Sequence, residues 1–424
     1  MGRPTCLLTA SCLALASGCA VNQDSSSDAA STAGTTALCY VDGTTASYSG
    51  YSGTASSTDQ SVVCVANSGV LTLTSCTMSS TGSTSSASDS LACGLDAVVL
   101  AKSGGSLTVS GGTVTSTGTG AAGVFATGSG TSASLSGVGI TTAGDDAPGT
   151  AATRGATLTL TNCTVTTSGD GSPALGMASG TGAVTLSSGT FSTTGSDAPA
   201  LQVHGTVAAS GTTLAAAASD GVQLTPGYQL SLTNANLSVY GSGHRGVAIR
   251  QSGTTSGTGT FTMAGGALST ASGPAFFVSN AAAAITLSSS AAISSGSGVL
   301  VEAGVTSSYG TAGGTVQLTA TGVSLTGDLV TDDTSSTIAA TLGSSSSLTG
   351  TINMAALTLD ATSTWTLTGN SVLTTLSDTS GISGTYVANI IGPYRVTYDN
   401  SLSANAGLGG LTYSLNGGGT LAPR

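Results

Sequence analysis

The sequence predicts an all-β chain wound as a single-stranded parallel β-helix with a cap at each end. Three observations carry this. Residues 157–207 state one pattern twice, as TLTLTNCTVTTSGDGSPALGMASGTGA and then VTLSSGTFSTTGSDAPALQVHGTV. Each copy holds three short apolar stretches: Leu158 and Leu160, Val165, then Ala174 and Leu175 in the first; Val184 and Leu186, Phe191, then Ala200 and Leu201 in the second. Turns rich in Gly, Ser, Thr and Asp separate them, so about 25 residues make one lap of three strands and three corners.

The composition agrees once periodicity is weighed against it. The chain has 424 residues, 63 of them Gly, with only 6% charged and a formal net charge of −11. A chain so poor in charge and so rich in small residues suits disorder, but Val, Leu and Ile recur at period two between Thr and Ser, as a half-buried strand requires. After the N-terminal segment the only bases are Lys102, Arg154, Arg245, Arg250, Arg395 and Arg424. That leaves no row of cations for a phosphate backbone and excludes nucleic acid.

Residues 1–18 read as a signal peptide, with Arg3 ahead of the apolar run Leu7 to Ala16. Leu15-Ala16-Ser17-Gly18-Cys19 resembles a bacterial lipobox, which makes Cys19 the residue to be lipidated. Residues 19–38 are then an anchor and polar tether, and the chain is expected at the bacterial outer membrane or cell surface as a lipoprotein, or else secreted. The membrane is met only through the lipid, since no later stretch has the apolar length of a membrane helix. In that oxidising setting Cys39, Cys64, Cys76 and Cys93 are expected to form two disulfides of unspecified pairing. Cys163 is expected as a buried free thiol, and Cys76 occupies the same place in its repeat.

Residues 39–69, with Tyr40, Tyr48 and Tyr51 among Gly and Ser, read as an N-terminal cap over the first coil, because a solenoid end must cover its unpaired strand. The β-helix proper spans 70–362. Its leading strands are marked by Leu73, Val109, Leu135, Leu160, Leu186, Ala209, Leu232, Met263, Leu287 and Leu318, spaced 23 to 36 residues apart. Variable spacing with a constant internal pattern places insertions at the corners, at Ser79 to Cys93, Gly253 to Gly259 and Gly304 to Gly314. Phe276 and Phe277 are expected inside. Residues 363–424, with more Tyr and the only Trp, read as C-terminal coils and a closing cap.

The coil pattern resembles the pectin-lyase-like right-handed β-helix superfamily, and Leu71 to Ala422 is similar to adhesin-like bacterial members of it. Ser363-Thr-Trp365-Thr-Leu367-Thr-Gly-Asn-Ser371-Val-Leu-Thr-Thr-Leu376 resembles the final passenger segment of pertactin-like autotransporters. The resemblance implies a right-handed coil and two classes of function, adhesive and polysaccharide-degrading. Asp145-Asp146 with Gly243-His244-Arg245 and Ala248-Ile249-Arg250 resembles the polygalacturonase residue set. The first acidic motif of that set is absent, Arg245 stands where it has Gly, and the Asp pair lies about four coils from His244.

The remaining candidates come from the turns and strand faces. Asp145, Asp146, Asp170, Asp197 and Asp220 recur about once per coil; they are either good turn residues or an oxygen-lined edge for Ca²⁺, the one cofactor the sequence suggests. Outward Thr157, Thr159, Thr161, Thr164 and Thr166 either form a soluble strand face or an ice-binding array, with a register expected to slip between coils. Tyr228, Tyr240 and Tyr309 could stack on sugar rings, with His244, Arg245 and Arg250 beside them. The reading is a non-catalytic surface protein for adhesion or carbohydrate binding, its partner a polysaccharide or host-cell glycan. The alternatives are a pectin lyase- or polygalacturonase-like enzyme and an ice-binding or structural stalk.

Overall fold

The computed structural model describes residues 35–424 apart from 178–179, 253–256, 307, 309 and 379. The signal peptide, Cys19, most of the 19–38 tether, Tyr309 and part of the second insertion lie outside the described residues. The fold is an all-β parallel solenoid of about 15 turns. The chain divides into two compact units, residues up to Ala208 with Thr212–Ser219, and Ala209–Gly211 with Asp220–Arg424.

In the first unit each lap contributes a strand to each of three faces. The first face carries Ser132–Ser136, Thr157–Thr161 and Gly182–Ser187, and the second Gly139–Thr142, Thr164–Thr167 and Thr190–Ser196. The third carries Val124–Thr127, Thr150–Thr153 and Leu175–Gly176. The duplicated segment stacks as its sequence implies: Leu158 stands on Val184, Leu160 on Leu186, Val165 on Phe191 and Leu175 on Leu201. All of these side chains are buried. Alternation then sends the intervening Thr and Ser outward.

Within each unit the leading-strand markers fall into one column where their pairing is defined, Leu73–Val109–Leu135–Leu160–Leu186 in the first and Leu232–Met263–Leu287 in the second. The last marker slips by two residues. Leu287 stands opposite Ala320, and Leu318 opposite Ile285. An insertion hides the start of that strand, and Ala is a weaker apolar signal than Leu. The expected N-terminal cap is already coil: Thr36–Asp42 pairs in parallel with Gln60–Ala66, and Thr45–Ser49 and Ser52–Ala55 pair with Val70–Ser80. Tyr48 occupies the column of Leu73, so aromatic content concealed an ordinary lap.

The last residues continue the stack and add two antiparallel pairs, Ile382–Ser383 with Tyr386–Ile391 and Tyr413–Asn416 with Thr420–Pro423. Trp365 is fully buried between Leu348 and Ile390, and its indole N–H donates to the Gly350 carbonyl at 3.0 Å.

Two side-chain placements depart from expectation. Phe276 lies inside, its ring 5.3 Å from that of Phe261 in an edge-on contact. Its neighbour Phe277 has the opposite strand parity and faces outward, although it is buried. The cysteines follow the same rule. Tyr40, not Cys39, stands opposite Cys64, so the two cysteines point to opposite sides of the sheet. Cys64, Cys76 and Cys163 are buried free thiols, which bears out the reading of Cys163 and, with two of the first four cysteines unbridged, corrects the expectation of two disulfides among them.

The first insertion folds into a short helix that the strand pattern did not announce, α1 (Ala87–Cys93), capped by Ser86 and closed by left-handed Gly94. It covers apolar side chains on the outside of the third face. Phe125 and Leu100 are buried there, and a Cβ on Gly94 would lie 2.5 Å from the Phe125 ring. Thr153 donates its hydroxyl hydrogen to the Ala92 carbonyl at 2.8 Å. Asp59 accepts from the Ser85 N–H at 2.8 Å. Asp96, just after α1, is buried, and one of its carboxylate oxygens has no hydrogen-bond partner among the described residues. Burial, aided by the charge of Asp59 and opposed by a hydrogen bond from the Gln60 N–H, pushes its carboxyl up to about 7.

The tightest packing is between bare backbones. A Cβ on Gly144 would lie 2.0 Å from the Gly118 carbonyl oxygen, one on Gly169 1.9 Å from that of Gly144, and one on Gly195 2.0 Å from that of Gly169. Another corner has room. Ser75, Gly111, Gly137, Asn162 and Ser188 all take left-handed φ between the first and second faces, and a Cβ on Gly137 would touch nothing within 4 Å.

Gly169→Ala should therefore lower the unfolding free energy by about 3 kcal/mol in urea titrations, whereas Gly137→Asn, which copies Asn162, should change it by less than about 1 kcal/mol. The raised Asp96 carboxyl means that the folded chain holds this proton more tightly than the unfolded chain. Its contribution to stability is accordingly lost as pH rises from 3.8 to about 7. Asp96→Asn should raise the melting temperature relative to wild type above that window and leave the two alike below it.

Candidate functional site

The second unit gathers charged side chains that the sequence had assigned to separate roles. Asp220 sits at the corner before the third face with its side chain 4% exposed. Its Oδ1 accepts the backbone N–H of Arg245 from the next lap at 2.9 Å, and the Arg250 guanidinium approaches Oδ2 at 3.4 Å. The Arg245 guanidinium and His244 Nδ1 lie 3.8 and 4.0 Å from Oδ1. The ligand-binding candidates His244, Arg245 and Arg250 are therefore grouped around a residue read as a calcium candidate. Tyr240 precedes the same turn and is 66% exposed.

The cluster extends to residues that sequence reasoning missed. The Arg245 guanidinium stacks over the outward ring of Phe277, 4.5 Å from its centre. Phe277 stands opposite Glu302 on the next lap. Burial raises the Glu302 carboxyl, as do the charge of Asp332 and a hydrogen bond between the two; Arg245 opposes the shift. Strand parity was the signal available for this grouping: Ala248, Phe277, Glu302 and Val330 share one outward column.

The first-unit aspartates form two columns rather than one edge. The Asp170 N–H donates to Asp145 Oδ1 at 2.9 Å, and the Ser196 N–H donates to Asp170 Oδ1 at 2.8 Å. Asp146 and Asp197 occupy the neighbouring left-handed position, with Gly171 between them in the stack. Asp145 and Asp170 thus cap the backbone of the following lap, as Asp220 does in its own unit. No group of three or more His, Cys, Asp or Glu side chains suited to a metal ion occurs among the described residues.

A cleft of about 470 Å³ opens at another corner of the second unit. Ser294, Ser295, Thr326, Asp328, Thr349 and Thr368 line it, with Gly298, Gly327 and Gly350 along its backbone. Asp328 Oδ1 accepts the Thr351 N–H at 2.6 Å. Tyr228 is half-buried. None of the sequence-predicted site residues lines this cleft, because its hydroxyls come from laps that each look like ordinary strand ends.

Comparison with known proteins finds no matching family model and no similar curated protein. The coil architecture is the level at which the superfamily resemblance is supported.

Asp220→Ala should destabilise the chain by about 2 kcal/mol in urea unfolding, because it removes the one buried carboxylate that two guanidinium groups and the Arg245 N–H share. Asp220→Asn keeps the acceptor for the Arg245 N–H and should cost about half as much.

Proposed function

We propose that the chain is an exported, lipid-anchored surface protein that binds carbohydrate without cleaving it and serves in adhesion. The hydroxyl-lined cleft carries this reading. Six side chains offering hydroxyl or carboxylate oxygens converge on about 470 Å³. Such a lining exchanges hydrogen bonds with the hydroxyls of a neutral sugar, and the glycines let a ring approach the backbone closely. A single carboxylate, Asp328, faces the cleft, whereas glycoside hydrolysis by the usual route uses two, one on each side of the bond. The adhesin-like resemblance and the lipobox around Cys19 agree with display at the bacterial surface.

One observation favours a second reading, a polysaccharide-degrading enzyme. Glu302 and Asp332 are hydrogen-bonded carboxyl groups with Arg245 close by, and burial and Asp332 shift the Glu302 carboxyl upward, the direction in which a general acid is tuned.

A glycan array probed with the chain lacking residues 1–34 should give discrete neutral-glycan hits that Asp328→Ala weakens about tenfold, or about 1.4 kcal/mol. No reducing ends or unsaturated products should appear from pectin-type polymers. Product formation abolished by Glu302→Gln would instead establish the enzymatic reading.

A further inference from the structure

The second face of the first unit is a two-dimensional lattice. Thr113, Gly139, Thr164 and Thr190 stack in one outward rank, and Thr115, Thr141, Thr166 and Ser192 in the rank beside it. The register does not shift across these four laps, contrary to the slippage expected from sequence. The coil period varies in the corners, not in the strands. Neighbouring laps are about 4.8 Å apart and alternate residues along a strand about 6.7 Å apart. Thr is stiff at χ1, so stacked Thr side chains repeat one orientation and present methyl and hydroxyl groups in order.

Two further features narrow the occupant. The strands Ser106–Ser116, Gly139–Thr142, Thr164–Thr167 and Thr190–Ser196 contain no charged residue. Their one aromatic residue, Phe191, is turned inward and buried. A nucleic acid would need cations, and a sugar surface would favour exposed rings. Six of the eight positions are Thr, Ser192 supplies a hydroxyl alone and Gly139 leaves one gap; what suits such an uncharged, ring-free, regularly spaced array is a partner with its own lattice of hydrogen-bonding oxygens. The two repeats are close to the oxygen repeats along the a and c axes of hexagonal ice.

We infer that the second face of the first unit binds ice. Each hydroxyl contributes little alone, and affinity comes from many positions matching one crystal plane at once. This activity is separate from the proposed carbohydrate cleft, which belongs to the second unit.

The test uses the purified full chain. It should shape growing ice crystals, open a gap between melting and freezing temperatures, and partition into ice frozen slowly from solution. Thr141→Tyr combined with Thr166→Tyr breaks the lattice at exposed or half-exposed positions and should reduce the gap about tenfold, with an unchanged circular dichroism melt. Thr159→Tyr on the first face should retain it. A wild-type chain excluded from ice without a freezing gap would overturn the inference. So would full activity in the double variant.

Discussion

Each lap of this chain hydrogen-bonds to the lap before it, and at one corner that contact leaves no space for a side chain. The Gly118–Gly144–Gly169–Gly195 column, each member set against the carbonyl of the one beneath, is the constraint on which the rest of the first unit depends. Backbones this close fix the height of each lap, and a fixed height brings like positions into register. Leucine columns inside, threonine ranks outside and aspartate caps at the corners then follow from one repeated chain path. The corner of Gly137 and Asn162 faces no such restriction, which is why Ser, Gly and Asn alternate there.

The coil was legible in the sequence for the same reason. Leu158, Leu160, Val165 and Leu175 return as Val184, Leu186, Phe191 and Leu201 because each pair occupies one column, and stacking transmits the pattern directly into the letters. The misreadings arose where a column was filled by an unusual residue. Tyr48 in a leucine column made a regular lap look irregular, and Ala320 yielded its place as a marker to Leu318. α1 was missed because seven helical residues covering an outer surface leave no strand periodicity to read.

The sites were less legible, because they join residues from several laps. His244, Arg245 and Arg250 were selected from one turn and its following strand, but their shared partner, Asp220, lies one lap earlier, and Phe277 and Glu302 lie on later laps. Parity decides such groupings. Phe277 was assigned to the interior by its hydrophobicity, yet its position next to inward Phe276 requires it to face out, where Arg245 and its surroundings cover it. The aspartates were read as one edge because they recur at about the right spacing; a difference of one residue separates Asp145 and Asp170, which cap the backbone of the following lap, from Asp146 and Asp197.

The close match between the two copies in 157–207 also bears on inheritance. A crossover between copies at equivalent codons adds or deletes one whole lap and leaves each junction as it was, with Leu meeting Leu and Gly lying on Gly. A chain one lap longer or shorter would therefore keep the same corners and the same columns, so length can change in discrete steps that preserve the fold.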